Sequence, residues 1–459
     1  MTIRFLAALV SLSFLLAACS TAKPASPVPG SPVPGSTPLA GAPLVAQDIV
    51  VTEAGEVVVA LRASAPGTSW ARQGAEAATV SIHVDGQYKA DVVLFRGETA
   101  FTYEALLGGL SKGQHRLAVY REPSKSAAQA KEVRVDEVTV RLYSPGDPLY
   151  QVMAHAPILY GRDESRYSDV PLFMYHEVTP QPAGTAIQYT IIFSNEDSGT
   201  AADGLMARWG RLTDIEWVYR VVLDAAGNVA REEFQDKDHN TALFRGSKEG
   251  RHPLLKDVTK NNLFADTGTS PYRFTLVPAE PLPDAAREEM MDRHPWMYRV
   301  MAEEWEREAA EWTEKSASPD TRAVSDPRNY LYVEFKSAPS GGAPCDAKLA
   351  IQVKLRGSDR WYSSDHGVDS LRIQSQGWRR GTVELPPGTT ADQVEALRLA
   401  VYPGKNLPNC ALVCTDVRKA FFLSQDYVPG PSLLTWHGEQ ILDAAAGSPY
   451  PDQLVLPVR

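Results

Sequence analysis

The stretch Val80–Phe95 reads VSIHVDGQYKADVVLF and predicts a β-hairpin. Apolar and polar residues alternate on both sides of Asp85-Gly86, a dipeptide that favours a two-residue turn between antiparallel strands. Similar apolar runs, separated by turns that contain glycine or proline, recur from residue 46 to residue 143. Short strands at this spacing predict an all-β sandwich over residues 46–143.

The neighbouring segment Gly108–Tyr120 reads GGLSKGQHRLAVY. It resembles the penultimate strands of immunoglobulin-like and fibronectin-type modules, in which a leucine before the turn fills the core. The resemblance implies an immunoglobulin-like sandwich that serves as a spacer or docking module. The Cys…Trp…Cys trio of antibody domains is missing from this segment of the sequence.

The composition excludes several classes of protein. The chain has 459 residues, enough for several domains, and 44% of them are hydrophobic, enough for a packed core. A net charge of -10 argues against nucleic-acid binding, which requires a basic face. A mean hydropathy of -0.25 excludes a polytopic membrane protein.

The first 18 residues predict an export signal. Residues 1–18 combine Arg4 with a short apolar run, and that pattern is typical of a signal peptide. The sequence Leu-Ala-Ala before Cys19 resembles the bacterial lipoprotein signal. That resemblance implies a lipid on Cys19, attachment to the membrane and, because Ser20 follows, sorting to the outer membrane where the cell has one.

Residues 19–45 form the anchor and a linker that repeats the unit SPVPG. Proline-rich segments of this kind lack the apolar surface needed to fold and act as extended spacers. At about 3.1 Å per residue, the linker is long enough to hold the folded part tens of ångströms from the membrane.

The densest group of polar and aromatic residues lies in Asp214–Asn262, within a predicted central β-rich domain at residues 144–335. Glu216, His239 and His252 are the candidate catalytic residues. Three chemistries remain open: acid and base catalysis of glycoside hydrolysis, a metal-activated water, and polysaccharide elimination.

The same stretch also resembles the central part of vacuolar sorting protein 62-like sequences, whose activity is unsettled. These carry an acidic and tryptophan cluster, then a histidine, then Gly-x-His-Pro. The matching residues here are Asp214, Glu216, Trp217, His239, Gly250, His252 and Pro253.

One helical segment is predicted at about residues 284–315, with a break at Pro295. Beyond the break, apolar residues recur every three or four positions, which predicts one face buried in the core. These residues are Met297, Val300, Met301, Trp305, Ala309 and Trp312.

Residues 336–459 are predicted to form a third β domain. The segments VEALRLAVYPG and CTDVRKAFFLSQDY resemble the closing strands of jelly-roll sandwiches of the galactose-binding-like type. Aromatic rings suit the apolar faces of sugars, and charged groups suit their hydroxyls. The candidate ligand-binding residues in its loops are Trp361, Tyr362, Asp365, His366 and Trp378.

Three cysteines follow the anchor, namely Cys345, Cys410 and Cys414. Export permits disulfides, so one bridge is predicted, and the odd count leaves one thiol over. Three thiols without a clear fourth ligand make a poor zinc site. The sequence assigns no residues to a metal site and identifies no cofactor.

The sequence therefore predicts a mainly β protein, with several β-sandwich domains in tandem and one helical segment. The leading interpretation is a membrane-anchored lipoprotein that recognises a carbohydrate or another envelope component. A carbohydrate-active lyase or hydrolase with its site in the central domain is the first alternative. A structural surface protein is the second. The predicted partners are the membrane, through Cys19, and a glycan.

Overall fold

The computed structural model consists mainly of β-sheet, because most segments alternate apolar and polar side chains. The predicted fold class is confirmed. The structure describes residues 41–163, 169–182, 184–196, 199–278, 280–309, 318–374, 376–444 and 453–458. The predicted signal peptide, Cys19 and most of the linker lie outside these residues, as does Trp312 of the predicted helical segment.

The first seven strands form two sheets that pack face to face. Their bounds are β1 (Val45–Val51), β2 (Gly55–Ser64), β3 (Thr79–Val84), β4 (Gln87–Val93), β5 (Phe101–Leu110), β6 (Gly113–Arg121) and β7 (Arg134–Tyr143). Sheet I has the order β1-β6-β3-β4 and sheet II the order β5-β2-β7. The predicted hairpin is confirmed as β3 and β4, with Asp85 and Gly86 both at positive φ in the turn.

The central part contains two further sheets and two short helices. Their bounds are α1 (Tyr150–Ala154), β8 (Ile158–Tyr160), β9 (Pro171–Gln181), β10 (Gly184–Phe193), α2 (Ala202–Trp209), β11 (Asp214–Leu223), β12 (Val229–Gln235), β13 (Thr241–Leu243), β14 (Lys248–Glu249), β15 (His252–Asp257), β16 (Phe264–Ala265) and β17 (Arg273–Phe274). Sheet III has the order β13-β12-β11-β10-β9, and sheet IV the order β14-β15-β8-β17. Strands β8 and β15 pair in parallel.

The predicted helical segment is two helices, α3 (Glu289–Arg293) and α4 (Trp296–Ala309). They are separated at Pro295, as predicted, because proline cannot continue the hydrogen-bond ladder. Residues 284–288 are not helical, so the first helix starts later than the sequence suggested. Helices α1 and α2 were not predicted. None of the helices among the described residues has both the length and the apolar character needed to cross a membrane.

The last eight strands form a sandwich of two four-stranded sheets. Their bounds are β18 (Tyr330–Pro339), β19 (Lys348–Leu355), β20 (Trp361–Ser363), β21 (Gly377–Glu384), β22 (Val394–Tyr402), β23 (Cys410–Phe421), β24 (Trp436–Ala444) and β25 (Gln453–Pro457). Sheet V has the order β21-β18-β23-β24, and sheet VI the order β20-β19-β22-β25. The predicted disulfide joins Cys345 to Cys410, and Cys414 is a buried thiol.

The hydrophobic cores connect the parts of the chain. One core begins in the first sandwich at Ile49 and continues through the central sheets to Val300 of α4. A second core fills the space between sheets V and VI. A third joins α2, α3 and α4 to Tyr332 and Phe421 on the outer face of sheet V. Helices α2–α4 therefore cover one outer face of the last sandwich.

A buried guanidinium holds that contact together. Arg380, on β21, has 0% exposed surface. It donates hydrogen bonds to Asp292 of α3 at 2.6 and 2.8 Å and to Glu334 of β18 at 2.7 Å. Burial alone would raise the pKa of Asp292, but the charges of Arg380 and Lys419 outweigh it and hold that pKa below its usual value.

We expect Arg380→Met to lower the free energy of unfolding by about 3–5 kcal/mol, because it leaves Asp292 and Glu334 buried without their main partner. Urea unfolding followed by tryptophan fluorescence measures the change. The matched control is Arg116→Met, which breaks an exposed ion pair with Asp48 and should change stability by less than about 0.5 kcal/mol. Equal effects of the two variants would contradict this account.

Candidate functional site

The outer face of sheet VI carries a row of polar and aromatic side chains. Along β22, the alternation buries Leu397, Leu399 and Val401 and turns Arg398 and Tyr402 to the other face, where they are half-buried. Arg398 lies opposite Gln352 of β19, which in turn lies opposite Ser363 of β20. Side chains from three neighbouring strands therefore meet on one surface.

Stacking of cations on aromatic rings orders this surface. The guanidinium carbon of Arg398 lies 4.0 Å from the centre of the Trp361 ring. The guanidinium carbon of Arg372 lies 3.6 Å from the centre of the Tyr402 ring. We name the five residues Trp361, Gln352, Arg398, Tyr402 and Arg372 the outer-face platform.

Hydrogen bonds connect the members of the platform. Arg398 Nε donates to Gln352 Oε1, and Gln352 Nε2 donates to Ser363 Oγ at 3.2 Å. Asp365 accepts from Ser363 Oγ at 2.6 Å and from Arg372 Nε at 2.8 Å. Burial and the nearby charge of Asp365 raise the pKa of Tyr402.

A polar cleft adjoins the platform at the end of β19 and β22. Its volume is about 580 Å³, and Lys348, Asp369 and Asn406 are among the residues that line it. The Cys345–Cys410 disulfide forms part of its wall. Gly404 is required there, since a Cβ at that position would lie 1.9 Å from Asp346 Oδ1.

The structure brings together only some of the predicted ligand-binding residues. Trp361 is a member of the platform, and Asp365 is buried beneath it as the partner of Arg372. Tyr362 lies on the opposite side of β20 and packs against the core. Trp378 lies on the other sheet, where its Nε1 donates to Asp284 at 2.8 Å. A ligand-binding role for the five residues stays a prediction.

His366 has a local structural setting. Its φ is +45°, so it occupies the left-handed region in the turn after Asp365. Burial lowers its pKa, with the charges of Asp365 and Asp203 acting in the opposite direction. The ring lines a small space beside α2 rather than the polar cleft.

Sequence reasoning missed Arg398, Gln352, Tyr402 and Arg372. The signal for two of them was present, because Leu397, Leu399 and Val401 alternate with Arg398 and Tyr402 in the segment LRLAVY. A strand of a sandwich that carries large apolar residues at every second position, with polar residues between them, has one face in the core and one facing solvent. Gln352 and Arg372 join them only through tertiary pairing.

The predicted catalytic residues fall into two groups. Glu216, on β11, shares Gln235 with His239: the amide of Gln235 bonds Glu216, and its Nε2 lies 3.0 Å from His239 Nδ1. His239 is exposed, at φ +62° in the turn after β12. His252 is buried on β15 in another sheet.

The surroundings of His252 are separate from those of Glu216. Its Nδ1 lies 2.9 Å from the carbonyl oxygen of Ala156, and its Nε2 lies 3.1 Å from a carboxylate oxygen of Glu56 in the first sandwich. In the part of the chain that the structure describes, no hydrogen bond or ion pair joins His252 to Glu216 or His239. Their catalytic roles stay predictions.

Half-buried Glu216 belongs to a group of carboxylates whose other members, Asp214 and Glu196, are buried. Burial and the charge of Asp214 raise the pKa of Glu216 to about 8 and that of Glu196 to about 7. Asp214 accepts a hydrogen bond of 3.0 Å from Asn262 Nδ2 and lies 3.6 Å from Arg211 Nη1. These groups can hold protons at neutral pH, which is a property that buried structural carboxylates share with catalytic acids.

The carboxylates of Glu289, Asp292 and Glu334 are the group among the described residues whose oxygens lie close enough together to hold a metal ion. Each of them already binds a cation: Lys419 contacts Glu289 and Asp292, and Arg380 contacts Asp292 and Glu334. The charge is therefore compensated by the protein itself, and the cluster serves the contact between α3 and sheet V.

No family model and no curated protein matches the chain. Among solved structures, the chain is similar to the C-terminal domain of EclA, a sugar-binding protein, with a TM-score of 0.17 and 20% identity. The match covers 22% of this chain and 66% of that one. At this TM-score the likeness is too weak to assign a shared fold or ligand.

We expect the free energy of unfolding to fall as the pH rises from about 4.5 to about 8, and Glu216→Gln to reduce that fall by about 1–3 kcal/mol. The unfolded chain ionises Glu216 near its ordinary pKa of 4.5, whereas the folded chain keeps the proton until about 8. Ionisation therefore favours the unfolded state throughout this interval, and glutamine cannot ionise.

Urea unfolding at several pH values measures the effect. Glu137→Gln is the matched control, because Glu137 is exposed on β7 and its replacement should leave the pH profile unchanged. A Glu216→Gln variant that kept the full pH dependence of the parent chain would show that Glu216 ionises normally in the folded protein.

Proposed function

We propose that this protein is an exported, lipid-anchored lipoprotein that recognises carbohydrate through the outer face of sheet VI. The observation that carries the proposal is the outer-face platform, in which Trp361 and Arg398 stack beside Gln352 and Tyr402. Helices α2–α4 cover the opposite outer face of the sandwich, so this is the face left for a ligand.

The platform has the groups that sugar recognition requires. A half-buried indole ring suits the C–H face of a pyranose, and the planar guanidinium of Arg398 suits a pair of neighbouring hydroxyls. Gln352 is buried and orients Arg398 through its amide oxygen. The stacking and hydrogen bonds fix these side chains before a ligand arrives, which lowers the entropic cost of binding. The adjoining cleft of about 580 Å³ offers room for further sugar units.

The anchoring part of the proposal rests on the sequence. Residues 1–18 have the pattern of a signal peptide, and Cys19 follows Leu-Ala-Ala as in bacterial lipoproteins. The proline-rich linker would hold the sandwiches away from the membrane. A sugar-binding face at the far end of the chain would then reach envelope or external polysaccharide.

A carbohydrate-active enzyme is the second candidate function, and one observation favours it. Glu216 and Glu196 have raised pKa values beside Asp214, as general acids often do. The contacts of His252 with Glu56 and Ala156 weaken the hypothesis that all three predicted catalytic residues act in one site. The platform therefore supports binding better than these carboxylates support catalysis.

We expect Trp361→Ala to weaken binding to polysaccharide at least about 10-fold, because it removes the aromatic surface against which a sugar ring packs. Affinity gel electrophoresis of the full chain against dextran, xylan, alginate and polygalacturonate identifies the polysaccharides that the parent protein binds. Isothermal titration with those polysaccharides then measures the loss. Trp361→Phe should retain most of the affinity.

Trp378→Ala is the matched control, because Trp378 lies on sheet V and contacts Asp284 instead of the platform. Thermal unfolding of each variant separates loss of binding from loss of structure. If Trp361→Ala binds as tightly as the parent chain, or if the parent binds no polysaccharide, the proposed glycan function is wrong.

We expect Cys19→Ser to abolish incorporation of labelled fatty acid and to move the protein from the membrane fraction to the soluble fraction in a bacterial host. Serine lacks the thiol that accepts the lipid, while the rest of the signal is unchanged. Cys414→Ser is the control, because that buried thiol is remote in sequence from the signal. Labelling that persists in Cys19→Ser would contradict the lipoprotein assignment.

A further inference from the structure

The cations on the outer face of sheet VI differ in whether they have an acidic partner. Lys354 pairs with Glu395 at 2.8 Å, and Lys348 pairs with Asp369 at the mouth of the cleft. Arg372 pairs with Asp365 at 2.8 Å and with Asp369 at 3.1 Å. The positive charges of these three side chains are therefore compensated on the face itself.

Arg398 has no such partner. Its contacts are the neutral amide oxygen of Gln352 and the face of Trp361. Among the described residues, no carboxylate lies within ion-pair distance of its guanidinium. Burial lowers the pKa of Arg398 because no neighbouring carboxylate offsets the loss of water around the charge. A half-buried cation without a counter-charge is costly to maintain in a folded protein.

The charge of Arg398 sets the charge of the platform. Four cations of this face have been named, and three carboxylates compensate them, so the set has a net charge of +1. The cations are Lys348, Lys354, Arg372 and Arg398, and the carboxylates are Asp365, Asp369 and Glu395. The chain as a whole has a net charge of -10. A positive site on an otherwise acidic protein selects an anionic ligand by local contact, because the negative charge of the whole chain repels anions at long range.

We propose that the outer-face platform binds acidic polysaccharide, with Arg398 holding the carboxylate of a uronic acid unit while Trp361 packs against the sugar ring. This inference rests on the proposed glycan function and names the class of glycan. Arginine suits the role, because its planar fork donates two parallel hydrogen bonds to one carboxylate. The Arg398 and Trp361 side chains are already in contact, so the carboxylate and the ring of one sugar unit would be held together.

Val455 bounds the platform on the side of β25. It lies directly across from Arg398 in the pairing of β22 with β25, and it is 45% exposed. An apolar neighbour offers no hydrogen bonds that compete for the guanidinium. It also excludes water from one side of the ion pair, and that exclusion strengthens the attraction between guanidinium and carboxylate.

The experiment compares polygalacturonate, alginate and hyaluronate, each with its carboxyl-reduced form, as ligands of the full chain. Carboxyl reduction replaces the charge by a hydroxymethyl group and keeps the sugar backbone, so each pair isolates the carboxylate. We expect at least one acidic polysaccharide to bind about 10- to 100-fold more tightly than its reduced form. In Arg398→Gln that preference should fall to about 1, because glutamine has no charge to attract a carboxylate.

Lys354→Gln is the matched control, because Lys354 lies on the same face and is paired with Glu395. It should keep the preference for the acidic form. Dextran sulfate tests the other source of negative charge: tighter binding of sulfate than of any carboxylate, lost in Arg398→Gln, would overturn the assignment of a uronate. Thermal unfolding confirms that each variant is folded.

The outcomes separate this inference from the proposed function. If the parent chain binds acidic and reduced polysaccharides equally and Trp361→Ala weakens both, the face recognises neutral sugar and the inference about Arg398 is wrong. If the parent chain binds neither form of any polysaccharide, the proposed function itself fails. A preference for the acidic form that survives Arg398→Gln also overturns the inference, because the carboxylate would then be held elsewhere.

Discussion

The buried ion pairs of Arg380 determine which outer face of the last sandwich the helices cover. A guanidinium without exposed surface binds Asp292 of α3 and Glu334 of β18. Lys419 adds to the compensation of Asp292, and Arg418 adds to that of Glu334. The hydrogen-bonded ion pairs form only at particular distances and angles, whereas the apolar contacts around them tolerate many orientations. It therefore fixes which face of the sandwich the helices cover. The platform lies on the outer face of the other sheet, sheet VI.

Much of the fold followed from local patterns in the sequence. The turn at Asp85-Gly86, the break at Pro295 and the alternation along β22 depend on neighbouring residues, and each was readable without the structure. The parallel pairing of β8 with β15 was not, because it joins segments separated by about 96 residues. Helices α1 and α2 are too short to be stable by propensity alone, and packing against the sheets holds them.

The site was predicted in part, and the misses have a common cause. Trp361 and Tyr362 are adjacent, so strand alternation places them on opposite faces, and only Trp361 can belong to the platform. Trp378 also has an arginine next to it in the sequence, yet it belongs to the other sheet. Arg398 was missed because it differs from the other cations only in having no carboxylate nearby. Tertiary structure decides which charges are neighbours, so the sequence did not reveal this difference.

Charge compensation distinguishes the two polar regions of this protein. Glu196 and Asp214 are buried and Glu216 is half-buried, and loss of water around the charge is the first cause of their raised pKa values. Arg211 and Asn262 supply nearby compensation. A carboxylate can also relieve an unfavourable setting by taking up a proton. Arginine cannot become neutral in this way, because its guanidinium stays charged at any pH at which the protein is folded. The uncompensated charge of Arg398 therefore persists until an anion arrives, and that makes the platform the better candidate for a site selected to bind a ligand.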